Sequence, residues 1–337
     1  MTADLFLGAD VGGTGLKYVV VSASGLIIIR GEVPTAPDDV GATLERLREA
    51  VSEDLSGKSA GNQVTGSTEG LGSLGHLAAV GLACAGIVDL ESGSLGRSPN
   101  LPGWEGTDLT SQLHRAFGSL PVTLANDVNA ALYGEFKAGA GMGCNSLVMI
   151  ALGTGVGGGV LLNGQLHTGA HFGAGEIGHM VLDPRGPTCT CGGQGCLEAW
   201  AGSVGLLRSA RAAASGSDST PAFRNLVADR GSELTTRELS ALADAGDMTS
   251  LDLFREVGER LGQAVGNLVN ILDPDRVIIG GGVAQAGDHI LKPCRQQVAR
   301  QVLAETARTV PVIPAELGPH AAAVGAAWLA RESRPTA

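Results

Sequence analysis

Residues 6–22 read FLGADVGGTGLKYVVVS, and residues 146–162 read SLVMIALGTGVGGGVLL. In each stretch an apolar run enters a glycine-rich turn, and a Val/Leu-rich run leaves it. Phe6–Asp10, Gly12-Gly13 and Lys17–Ser22 therefore read as strand, tight turn, strand. The second stretch repeats that reading. Gly13-Thr14-Gly15 is echoed by Gly153-Thr154-Gly155, 140 residues later. A duplicated strand–turn–strand, one per half, predicts two similar domains facing each other across a cleft.

The flanking segments fit the same class. Val40, Leu44, Leu47, Val51 and Leu55 recur at steps of three and four, one face of a helix over 38–55. Leu77–Ala83 reads as a strand ending at Gly86. Val122–Ala125 reads as another, running into a helix over Val128–Lys137. Leu251–Leu272 carries Phe254, Val257, Leu261, Val265, Leu268 and Leu272 on one helical face. Asp273-Pro274 ends it, and a strand over Val277–Ile279 runs into Gly280-Gly281-Gly282. Thr235 with Glu238 has capping-box spacing. Alternating strands and helices give an α/β chain. Residues 56–76 are rich in Gly, Ser, Thr, Asn and Gln, and read as an exposed, mobile insertion.

Composition narrows the function. A length of 337 suggests about two domains. The 52 glycines are roughly double the usual ~7%, yet no Gly-X-Y period runs through them. Hydrophobic residues at 44% can form sizeable cores, so collagen and wholesale disorder are excluded. A net charge of −11 disfavours nucleic acid and anionic membranes as partners, and 3% aromatics cannot build base-stacking platforms. Residues 138–175 lack Asp, Glu, Lys and Arg, but their glycines and Asn145 and Asn163 argue against a membrane span. The N-terminus shows no secretory signal, which points to the cytoplasm.

Three groups of residues carry chemistry. Asp10-Val11-Gly12-Gly13-Thr14 places a carboxylate beside a turn without Cβ atoms, where backbone N–H groups can approach phosphate oxygens. Asp10 suits a Mg²⁺-bound water, and the Thr14 hydroxyl can donate to a phosphate. Paired with Gly153–Gly159, the turn could clamp a polyphosphate from two sides. Asn126-Asp127 precedes a helix, where Asp is a favoured N-cap. An Asp there also suits a general base in phosphoryl transfer. His179, Cys189, Cys191 and Cys196 match a closed, structural Cys3His zinc site. That metal would fix Glu176 and Glu198 near one place. Two apparent motifs fail on context. Gly153–Gly158 satisfies G-x-G-x-x-G but runs into a strand rather than a helix, and Gly57-Lys58-Ser59 lacks the first glycine of a P-loop.

Together these pieces resemble the ROK family of sugar kinases, which has an actin/hexokinase-like (ribonuclease H-like) fold with an interdomain cleft. Asp10–Thr14 resembles its first phosphate loop and Leu152–Gly159 its second. Glu176–His179 with Cys189-x-Cys191 through Cys196-x-Glu198 resembles its zinc and sugar signature. Ser98–Trp104 (SPNLPGW) and Asn126-Asp127 resemble sugar-contact segments, and Gly280–Gly282 resembles the adenosine loop. The resemblance implies a small domain over 1–120, completed by a helix at about 318–333, and a large domain over 121–317. It implies Asp127 as the catalytic base, with Asn100, Asn126, Asp127, Glu176, His179 and Glu198 on the sugar. It assigns the nucleotide to Asp10, Gly12, Gly13, Thr14, Gly153, Thr154, Gly155, Gly157, Gly281 and Gly282. ATP with Mg²⁺, a structural Zn²⁺, a sugar substrate and a homodimer follow from the same resemblance. Glucose is the expected sugar. N-acetylmannosamine, N-acetylglucosamine or fructose are the alternatives within the family, and polyphosphate is an alternative donor. A sugar-responsive regulator of the family is disfavoured, because the first phosphate loop begins near residue 8 and leaves no room for a DNA-binding module.

Overall fold

The computed structural model describes residues 4–57, 63–64, 76–98 and 100–334. Two compact units emerge. One comprises Met1–Gly143, Leu166–Ala174 and Glu316–Ala337, the other Cys144–Gln165 and Gly175–Ala315.

The first unit contains β1 (Leu5–Val11), β2 (Gly15–Ser22), β3 (Ile27–Pro34), α1 (Val40–Leu55), β4 (Gln63–Val64) and β5 (Leu77–Cys84). It continues with a short hairpin of β6 (Val88–Asp89) and β7 (Ser94–Leu95), then α2 (Leu109–Phe117), β8 (Val122–Asn126) and α3 (Asp127–Ala138). The main sheet runs β4-β3-β2-β1-β5-β8. Alternation along the strands serves two buried faces. Leu5, Leu7, Val11, Leu16, Tyr18 and Val20 pack with Leu44, Leu47 and Val51 of α1.

On the other face Val19 and Val21 pack with Ala323, Val324 and Ala327, from the last helix of the chain (Ala321–Glu332). That helix lies almost in backbone contact with the sheet. A Cβ on Gly8 would fall 2.0 Å from the Ala323 carbonyl oxygen, and one on Gly81 2.0 Å from that of Ala326. On α3 the seam continues, where a Cβ on Gly325 would lie 1.7 Å from the Ala130 carbonyl oxygen. Buried Glu135 anchors the approach to this helix. Its carboxylate accepts the N–H groups of Ala140 (2.7 Å), Glu316 (3.0 Å) and Leu317 (2.8 Å).

The second unit holds β9 (Leu147–Leu152), β10 (Val156–Leu162) and β11 (Gln165–Leu166), then α4 (Leu197–Ala201), α5 (Ser203–Ala214), α6 (Pro221–Arg230), α7 (Thr236–Asp244) and α8 (Met248–Leu272). It ends with β12 (Arg276–Gly280), α9 (Asp288–Gln301) and β13 (Val312–Pro314), and the helix over Ala321–Glu332 is thus α10. The sheet order is β11-β10-β9-β12-β13. Phe254, Val257, Leu261, Val265 and Leu268 of α8 pack with Val148, Ile150, Val277 and Ile279, the face expected from the periodicity. Asp247 caps that helix, and Thr235 with Glu238 forms the capping box.

The internal echo is structural. In each sheet an antiparallel hairpin, β1–β2 or β9–β10, has a parallel strand, β5 or β12, on the far side of its first strand. The first unit extends through residue 143, past the expected boundary at 120. β8 pairs in parallel with β5, and Gly134 of α3 abuts α10, so both elements belong to this unit. Within the expected 56–76 insertion, Gln63–Val64 pairs with Ile29–Arg30 as an edge strand. Most of the insertion, including Lys58 and Ser59, lies outside the described residues. Residues 138–175 supply β9 and β10, and no helix among the described residues is long and apolar enough to cross a membrane.

Candidate functional site

In the first unit, the chemistry gathers at the carboxyl ends of the parallel strands, the usual ligand edge of such sheets. Register pairs Val11 with Cys84 and Cys84 with Asn126, so β5 separates Asp10 from Asp127 along one edge. Burial, and then the negative charge of Asp127, push the Asp10 carboxyl up from its ordinary 3.8 to about 7, against the pull of Lys17. Burial also pushes the thiol of Cys84 up, which leaves it a packing residue.

The Gly12–Gly15 turn is closed by Gly12 N–H donating to the Gly15 carbonyl at 2.9 Å. Thr35 braces it from β3's end. Its hydroxyl donates to the Gly12 carbonyl at 2.8 Å, and its N–H to that of Thr14 at 3.2 Å. Asn100 lies beside the turn, since a Cβ on Gly13 would come 2.9 Å from its carbonyl oxygen. Asn126, rather than Asp127, is the N-cap of α3. Its Oδ1 accepts the N–H groups of Val128 (2.9 Å) and Asn129 (3.1 Å), and its Nδ2 donates to Gly86 (3.0 Å). Among the described residues the second Nδ2 hydrogen has no acceptor. Asp127 is thereby relieved of capping, although its Oδ1 lies 2.9 Å from Val128 N.

The titration of Asp10 has a stability consequence. Its pKa is raised in the folded state, so its contribution is full below about pH 4 and is lost as pH rises through about 7. Asp10→Asn is therefore expected to stabilise the protein at pH 8 by about 2–4 kcal/mol in urea unfolding, and to leave stability at pH 4 nearly unchanged. Equal effects at both pH values would contradict the burial of a charge at this position.

The second unit brings together the remaining predicted residues. The Gly153–Gly155 turn is closed by Gly153 N–H donating to the Gly155 carbonyl at 2.9 Å, much as in the first turn. Gly157, Gly158 and Gly159 belong to strand β10 and not to the turn. Gly158 is required for packing, because a Cβ there would meet the Gly175 carbonyl at 2.5 Å. Gly281 has φ +92, and a Cβ on it would lie 2.3 Å from the Leu152 carbonyl oxygen. The third glycine segment thus packs at Gly281 against Leu152, the residue just before the second turn, while Gly282 stands in open space. Thr14 and Thr154 are both exposed, and among the described residues neither hydroxyl has a hydrogen-bond partner.

Glu176 precedes a 3-10 turn over Ile177–His179 that is pressed against β10. A Cβ on Gly178 would lie 2.0 Å from the Val156 carbonyl oxygen. His179 Nε2 lies 3.9 Å from the Glu176 carboxylate, and its Nδ1 lies 3.8 Å from Cys189 Sγ. Cys191 and Cys196 sulfurs are 3.9 Å apart, and the four candidate ligand atoms all fall within 4.8 Å of one another. A tetrahedron with ~2.3 Å metal–sulfur bonds has edges of ~3.8 Å, close to the two separations just given, so this donor set suits Zn²⁺. Backbone hydrogen bonds rather than apolar burial hold the loop: Leu182 N–H donates to the Gly195 carbonyl, Gly195 N–H to that of Pro187 and Cys189 N–H to that of Gly193, each at 2.8 Å. Gly192 and Gly195 adopt positive φ, and among the described residues its apolar cluster is Cys189, Cys196 and Ala199.

Thr35, Lys17 and Thr190 escaped the sequence reading. Lys17 is the register partner of Asp10, a relation that the strand–turn–strand pattern already contained. Thr190 donates to Glu198, which no spacing rule announces.

A model of the ROK family matches residues 6–333. The chain is 34% identical to the glucokinase of Halalkalibacterium halodurans over 329 residues, 97% of this chain and 95% of that protein. It is 34% identical to the glucokinase of Streptomyces coelicolor over 337 residues, 98% of this chain and 99% of that one. Among solved structures it is similar to a ROK family glucokinase from Streptomyces griseus in complex with glucose and AMPPNP. The TM-score is 0.76 at 33% identity, with 98% of this chain and 100% of that chain covered.

Proposed function

The chain belongs to the ROK family, and on that premise we propose that it is a glucokinase, transferring the γ-phosphoryl group of ATP to O6 of glucose. The observation that carries this reading is the similarity, along nearly the whole chain, to glucokinases and to a glucokinase complex with glucose and an ATP analogue. The two glycine turns and Asp127 supply the parts such a reaction needs.

In the proposed reaction the N–H groups of the Gly12–Thr14 and Gly153–Gly155 turns and the two threonine hydroxyls hold the phosphates. Asp127 accepts the O6 proton as O6 bonds to the γ-phosphorus. The bond to the β–γ bridging oxygen breaks, and ADP leaves with that electron pair. Asp127 then returns its proton to solvent. Asn100, Asn126, Glu176, His179 and Glu198 take sugar hydroxyls. Acceptors that the bound sugar covers are left unpaired by a sugar lacking the matching hydroxyl, which selects against it. Mg²⁺ entering with ATP would neutralise phosphate charge, and Asp10 is the carboxylate that would hold it through water. His179, Cys189, Cys191 and Cys196 would hold a structural Zn²⁺, which fixes the loop and opens no coordination position to substrate. We place the protein in the cytoplasm as a homodimer, on the strength of the family resemblance.

Steady-state kinetics over a panel of sugars, with ATP and with polyphosphate, tests the assignment. Glucose with ATP is expected to give the highest kcat/KM. A higher value for N-acetylmannosamine, N-acetylglucosamine or fructose would move the substrate within the family, and a higher value with polyphosphate would move the donor. The regulator reading is not favoured, since the relatives matched almost end to end are kinases, the glucokinases and a kanosamine kinase among them, whereas a xylose repressor is matched over 60% of its length.

A further inference from the structure

Glu198 stands two residues after Cys196, in the first turn of α4. Its two oxygens serve different loops. Oε1 accepts the Thr190 hydroxyl at 2.5 Å, between the metal-loop residues Cys189 and Cys191. Oε2 accepts the N–H of Val156 at 3.1 Å, immediately after the Gly153–Gly155 turn. The turn is shaped around this carboxylate, because a Cβ on Gly155 would lie 2.3 Å from Oε2. Cys189 Sγ also lies 3.3 Å from Oε1. A metal-bound thiolate has no proton to donate, so Thr190 and Val156 are the contacts that persist when the site is filled. The same helix junction holds the turn a second time. Gly202 N–H donates to the Glu198 carbonyl at 3.0 Å, and Ser203 N–H donates to the Gly153 carbonyl at 2.9 Å.

We propose that Glu198 couples the second glycine turn to the Cys3His loop, and that Thr190 is a positioning residue for nucleotide binding. The two N–H···O and O–H···O bonds share one planar carboxylate. A shift of the metal loop moves Thr190, rotates that plane, and changes where Val156 and the turn before it present their N–H groups. The carboxylate also has lone pairs left for a sugar hydroxyl. One side chain therefore meets the metal loop, the phosphate turn and the sugar position. The identity of the nucleotide rests on the kinase reading, but the coupling is a property of the second unit alone.

The test is calorimetric titration of a non-hydrolysable ATP analogue, without sugar, into wild type, Thr190→Val and Thr190→Ser, with metal content measured on each. Thr190 is exposed, so neither change disturbs the core. Thr190→Val is expected to keep its metal and bind the analogue about two- to tenfold more weakly, the range for one lost hydrogen bond, and Thr190→Ser to restore binding. Unchanged affinity in Thr190→Val overturns the coupling. Should Thr190→Val shed its metal, chelator-treated wild type decides: its nucleotide affinity must fall as well, and unchanged affinity overturns the proposal. Failure of the metal-loaded wild type to bind the analogue overturns the kinase reading instead.

Discussion

Asp127→Ala is expected to lower kcat for glucose phosphorylation by about 10²–10⁴-fold, the usual contribution of a positioned general base. Sugar affinity should stay measurable by calorimetry, because the other proposed hydroxyl partners remain. Asn126 is the reason to expect so selective a loss. It is the N-cap of α3, accepting two N–H groups, one of which it shares with Asp127, and it anchors to Gly86. Removing the neighbouring carboxylate therefore leaves the helix start intact. Appreciable turnover by Asp127→Ala would sink the assignment of the base. A fall in melting temperature comparable to loss of a cap would instead show that Asp127 contributes to the helix start.

Cys191→Ser is expected to reduce bound zinc from about one per chain to almost none, and to raise the KM for glucose by about 10–100-fold. The effect should be large yet local. The cysteine cluster stands apart from the main apolar core of its unit, so cooperative unfolding should persist. What is lost is the scaffold for His179 and Glu198. With positive-φ glycines at 192 and 195 and little apolar contact, the loop relies on its backbone hydrogen bonds and the metal, and the substitution removes the metal. Elemental analysis that finds no zinc in wild-type protein would refute the metal assignment outright.

The architecture could be read from the sequence wherever it is local. The two strand–turn–strand units, the amphipathic face of α8 and the Thr235–Glu238 capping box each depend on neighbouring residues, and each stands in the structure. The cysteine and histidine spacing likewise predicted a cluster whose donor atoms do converge. Side-chain commitments made across the chain were hidden. On paper Asp127 was the cap that the Asn126-Asp127 pair offered, and the structure caps with Asn126 instead. The choice falls to Asn126 because its amide also reaches Gly86, 40 residues away. The glycine run at 153–159 looked uniform. Only its first three residues form the turn, while Gly158 exists to admit the segment carrying Glu176 and His179. Thr35 bracing the first turn needs β3 brought alongside β2, which no periodicity specifies.

The glycine seam under α10 bears on the order in which the molecule is made. β1 and β5 emerge early from the ribosome, yet one face of their sheet waits for residues 316 onward. At ~5–20 residues per second, the stretch from 144 to 315 imposes a delay of about 9–35 s. During that interval Val19, Val21 and Ala79 lack the helix that buries them, and Gly8 and Gly81 leave bare backbone beside them. The second unit is contiguous apart from one short excursion, and can finish first. The unit whose synthesis begins first is therefore the last to close, and its unfinished sheet is the surface a nascent-chain chaperone would meet.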